Sequence, residues 1–65
     1  MKPLHEAIRD LRKQAGASQE RFAHIVGVTR LTVAAWERGQ QPDIHNMRRL
    51  VQEGLDPQYL TEGAA

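Results

Sequence analysis

Apolar and small residues recur along this chain at spacings of three and four, the mark of helices with one buried face, and no alternating, strand-like stretch interrupts them. Leu4, Ala7, Ile8 and Leu11 form the first stripe. Pro3 suits its first helical position and Gly16 stops it, while Arg9, Asp10, Arg12 and Lys13 fall on its solvent side. A second stripe, Phe22, Ala23 and Val26, follows Ser18, and a third, Val28, Val33 and Trp36, brackets Thr29. Ser18 and Thr29 are both residue types that cap a helix by accepting a bond from a free amide. A fourth helix is predicted from Ile44 to Glu53, capped by Asp43, ended by Gly54, with Ile44, Met47, Leu50 and Val51 inward. Leu55 is buried at the next bend, Asp56-Pro57 caps a short fifth helix at Gln58-Tyr59-Leu60, and residues 61–65 are expected to fray. The expectation is one all-α, compact, five-helix domain over residues 1–65, with helices at 43–62 closing its C-terminal side.

The stretch from Ser18 to Gly39 sets the architecture, because its two helices are joined by a turn of three or four residues and must cross. Gly27 supplies the positive φ that ends the first of them. Ala23, small and in mid-helix, permits the close approach of the second. Along the second helix Val33 and Trp36 face inward, Arg30, Leu31, Ala34, Ala35 and Arg38 face outward, and Thr32 lies at the edge. Glu37 is half turned in.

Gln19, Ala23, Gly27 and the run Trp36-Glu37-Arg38-Gly39 stand at fixed offsets, and with them the chain resembles the lambda-repressor and Cro-like family of helix-turn-helix DNA-binding proteins from about Leu4 to Gly63. That resemblance implies a lambda-repressor-like fold and a transcriptional repressor acting on its own short operon. It also implies an ion pair between Glu37 and a basic residue of the first helix, which maps onto Arg12, and base-reading positions on Arg30, Leu31, Ala34 and Ala35.

At 65 residues the chain has room for one domain and little room for an enzyme's cleft. No cysteine is present, which excludes disulfides and thiolate chemistry and fits a reducing compartment; no leader or membrane span is seen, and a cytoplasmic protein is expected. The net charge of +1 says little until it is divided. Residues 1–40 carry seven basic against four acidic side chains, +3, and residues 41–65 two against four, −2. The excess sits where the motif does, as an electrostatic footprint should, although an ordinary mixed-charge surface accounts for it nearly as well.

The major groove of duplex DNA admits one helix whose first two turns reach base edges. Arg30 offers a fork matched to guanine O6 and N7, while Leu31, Ala34 and Ala35 suit thymine methyls; Arg30 as a solvated surface cation is the plainer alternative. Gln19 lies at a helix start, where free amides favour a phosphate oxygen, or serves solubility alone. Ser18, Arg12, Thr32, Arg38 and Gln40 are further phosphate candidates. The loop Gln40-Gln41-Pro42-Asp43 has no positive charge, so useful affinity calls for a symmetric homodimer on two half-sites about one helical turn apart. Pro57, Gln58, Tyr59 and Thr61 are the dimer candidates, Tyr59 being equally a core residue with its hydroxyl at the surface. The rival function is a protein-interaction module that docks a partner through Leu31, Ala34 and Ala35. His5, His24 and His45 lack ligand spacing, so no metal, cofactor or small-molecule ligand is expected, and no catalytic set is seen.

Overall fold

The computed structural model describes residues 1–60. The helices are α1 Leu4–Gln14, α2 Gln19–Val26, α3 Arg30–Glu37 and α4 Ile44–Gln52, and residues 58–60 open a fifth, α5. Among the described residues there is no strand. The all-α arrangement expected from the hydrophobic pattern is the one found, and it is the lambda-repressor-like one that the resemblance implies.

Each boundary has a local chemical cause. Ser18 Oγ accepts from the Arg21 amide at 3.0 Å, Thr29 Oγ1 from Thr32 at 3.3 Å and Asp43 Oδ1 from Asn46 at 2.8 Å, so three helices start on side-chain caps. The Gln58 amide donates to Asp56 Oδ1 at 2.9 Å ahead of α5. Pro3 stands one place earlier than its composition suggested. Its φ of −57° fits a helix, but its ψ of 149° is extended, so it precedes α1 and its carbonyl accepts the first amides, from Glu6 and Ala7. Gly27 ends α2 at φ +90°, and a Cβ there would meet nothing within 4 Å. The demand for glycine is therefore one of backbone conformation, not of space.

Phe22, Ala23 and Val26 of α2 meet Val33 and Trp36 of α3, and Ile8 of α1, Met47 and Leu50 of α4, Ala17, Leu55 and Tyr59 complete one core. Ile44 does not join it. It is 43% exposed, because Asp43, Ile44 and His45 all open α4 outside the core and the stripe turns inward only from Met47. Pro42, in the loop before α4, is buried between exposed neighbours. Of the two roles open to Tyr59, the structure takes the interior one: the ring is buried and its hydroxyl donates to the Lys2 carbonyl.

Among the described residues the one buried charge is the Glu37 carboxylate, 4% exposed at the end of α3. Arg12 grips it through Nε at 2.7 Å and Nη2 at 3.1 Å, and Gln19 Nε2 adds a bond at 3.2 Å. Arg12 Nη1 also donates to the Ala17 carbonyl at 3.0 Å. Arg9, expected on the solvent side, instead reaches across with Nε at 3.4 Å from Glu37 Oε1 and Nη2 at 3.2 Å from the Glu37 carbonyl. One carboxylate thus ties α1, α2 and α3 together. Burial pushes its pKa up, but the bonds from Arg12, Gln19 and Arg9 outweigh burial and leave it below the ordinary carboxylate value. The bond to Glu37 raises Arg12 in turn.

Two consequences can be measured. Trp36, 2% exposed, should cost about 3–5 kcal/mol of unfolding free energy when replaced by alanine, a large share of what a domain of this size has. Urea denaturation reads this directly, and an unchanged midpoint would remove Trp36 from the core. A carboxylate whose folded pKa is depressed stabilises the fold above its unfolded pKa and ceases to do so as pH falls through the folded one. Stability should therefore decline as pH drops from about 4.5 through the lower folded value. Glu37→Gln should lose about 3–5 kcal/mol at neutral pH by stranding Arg12 and should flatten that acid decline; an acid limb as steep as the wild type's would assign it to other carboxylates.

Candidate nucleic-acid interface

α3 is pinned from within by Val33 and Trp36, so its opposite side is presented rigidly. Arg30 and Leu31 lie at its N-terminal end, both exposed, Leu31 at 68%. Ala35 is half-buried on the same outer side, and Arg38 and Gln40 are exposed beyond the end of the helix. Thr32 is half-buried. Its amide takes the Thr29 cap and its hydroxyl lies 3.0 Å from that of Thr29.

Two expected contacts are displaced. Ala34 does not face outward but is buried at 9% exposure. The buried arc of α3 runs from Trp36 through Val33 and Glu37 to Ala34, and it is this wide because the arginines draw Glu37 inside. Arg12 turns its guanidinium inward. Its side chain is 16% exposed and Nε, Nη1 and Nη2 all donate within the domain, since the buried Glu37 charge has first claim on them.

Gln19 is the first residue of α2 and half-buried. One amide hydrogen goes to Glu37, which fixes the side chain, and a second remains on the same nitrogen. Beside it Ser18 Oγ is committed as an acceptor to Arg21, and its carbonyl accepts from Phe22, so the amides of Gln19 and Glu20 are those left at this helix start. The helix end, Gln19 and the outer side of α3 are brought together by α2 packing on α3 and by the shared contact with Glu37. Arg9 is the member that the sequence did not reveal. It stands three residues before Arg12, so one helical face carries both guanidinium groups toward the same carboxylate, a spacing that was available as a signal.

Pro57 and Gln58 are exposed at the start of α5, whereas Tyr59 is interior, and Thr61 lies outside the described residues. Among the described residues no group of three or more His, Asp or Glu side chains is placed to hold a metal ion, and no helix is long and apolar enough to cross a membrane.

The sequence pattern of the helix-turn-helix family matches residues 8–53. Comparison with curated proteins and with solved structures gave no significant match. The family match spans well over half of the 65 residues and covers α1 through α4, with Ala23, Gly27 and Trp36 where the crossed pair needs them; the chain therefore belongs to the lambda-repressor-like helix-turn-helix family of DNA-binding regulators.

Proposed function

We propose that this protein is a Cro-like repressor that binds a palindromic operator as a homodimer, with α3 in the major groove. The observation that carries this is the N-terminal end of α3, where Leu31 is 68% exposed beside exposed Arg30 on a helix otherwise locked into the core. An apolar side chain held out there contributes nothing to packing. Against a thymine methyl it has a partner, and Arg30 next to it has one in guanine. Ala35 extends the apolar contact one turn on. Gln19, with Ser18, Thr32, Arg38 and Gln40, supplies the polar groups that hold backbone register.

Few of these groups are cationic and the loop after α3 has none, which limits the affinity of a single chain. Two chains on adjacent half-sites overcome that limit. Pro57 and Gln58 are the exposed residues offered to a second copy, and Thr61 follows them in the sequence. Repression follows from occupancy alone, since a single small domain blocks polymerase by sitting on the operator.

The same exposed Leu31 also favours a second function, docking of a partner protein through Leu31 and Ala35. Salt separates them, because counterion release makes DNA binding fall steeply with ionic strength and an apolar contact changes little.

Selection of duplexes from a random pool should yield a palindrome bound by two chains. Arg30→Ala should cost about 1–3 kcal/mol on the best duplex and relax the choice at one guanine position. A mutant with the same preference would take Arg30 out of base readout, and a folded wild type that enriches no duplex would shift the function to protein docking.

A further inference from the structure

The helices of this domain end in different ways. After α1 the amides of Ala15, Gly16 and Ala17 donate to three separate carbonyls, those of Leu11, Lys13 and Arg12. After α3 and after α4 the chain likewise folds back on several carbonyls. At the end of α2 the amides of Gly27 and Val28 both close on the single carbonyl of Ala23, at 2.8 and 2.9 Å. The chain must leave at once to start α3, and no backbone amide reaches the carbonyls of His24, Ile25 or Val26. A side chain from elsewhere does: Arg49 of α4 donates from Nη2 to the Ile25 carbonyl at 3.3 Å. Its charge also meets the negative end of the α2 dipole.

Arg49 Nε is buried and makes no hydrogen bond, a situation unfavourable for stability that an apolar side chain would avoid. What the guanidinium provides is the bond to α2. Val26 anchors the last turn of α2 in the core, but the turn beyond it is lightly held, for Gly27 is exposed at φ +90° with open space about it and only Val28 of the turn packs on the core. We propose that Arg49 is a positioning residue for DNA recognition: by holding the last turn of α2 it sets the angle at which α3, with Arg30 and Leu31, leaves the turn.

This rests on the DNA-binding function above, and the test distinguishes failure of one from failure of the other. Arg49→Met keeps an unbranched apolar stem and removes the donor; Arg49→Lys restores a charge and a donor. Two quantities are read on folded protein, the orientation of α3 relative to α2 from residual dipolar couplings, and the ratio of affinities for the best selected duplex and an unrelated duplex. Loss of a charge by itself lowers both affinities together and leaves the ratio alone. The expected result for Arg49→Met is a changed α2–α3 orientation and a ratio lower by about tenfold, with recovery in Arg49→Lys. Wild-type orientation with a ratio within about twofold of wild type would overturn the proposal. Should Arg49→Met not fold, Arg49→Gln, too short to reach Ile25, is read in the same way. If wild-type protein prefers no duplex, the DNA-binding function fails, and the orientation measurement alone then decides for or against Arg49.

Discussion

A carboxylate that leaves water must be met by donors, and the whole arrangement of α1, α2 and α3 answers to that requirement at Glu37. Its two oxygens and its carbonyl take bonds from Arg9 and Arg12 of α1 and from Gln19 of α2. Hydrophobic contact alone holds helices together without fixing how far each slides along its neighbour, whereas a fork bound to a carboxylate tolerates little slip. The register of α3, and with it the place where Arg30 and Leu31 emerge, depends on this contact. The same contact holds the side chain of Gln19, so groove-facing and backbone-facing groups share one origin.

That sharing has a cost. Guanidinium groups that neutralise a buried charge are not available to neutralise phosphates, which is why a domain with seven basic residues in its first forty presents so modest a positive face. Arg12 is the clearest case, turned into the fold with each of its three nitrogens donating there. The excess of +3 in the first forty residues already sets Glu37 against Arg12, so what DNA would meet is carried by the remaining side chains.

What could be read from the chain were features whose causes lie within three or four residues. Ser18, Thr29 and Asp43 cap helices because their acceptors reach an amide three places on, and Gly27 turns left-handed because of its own missing side chain. The exposure of Arg30 and Leu31 followed from their angle to Val33 and Trp36. Features set by the meeting of distant segments were not legible in the same way. The pairing of Glu37 with Arg12 came from resemblance rather than from spacing, and Arg9, Ala34 and Ile44 were misplaced because helical periodicity gives the centre of a buried face but not its width or where along the helix it begins. Arg49 carries no local signal of its role, because the donor-poor end of α2 that it meets lies 24 residues earlier in the chain.

The bond from the Tyr59 hydroxyl to the Lys2 carbonyl joins points 57 residues apart. Almost the entire described chain is thereby a single closed loop, tied where an open chain would be most prone to come apart. The bond holds the start of α1 beside α5.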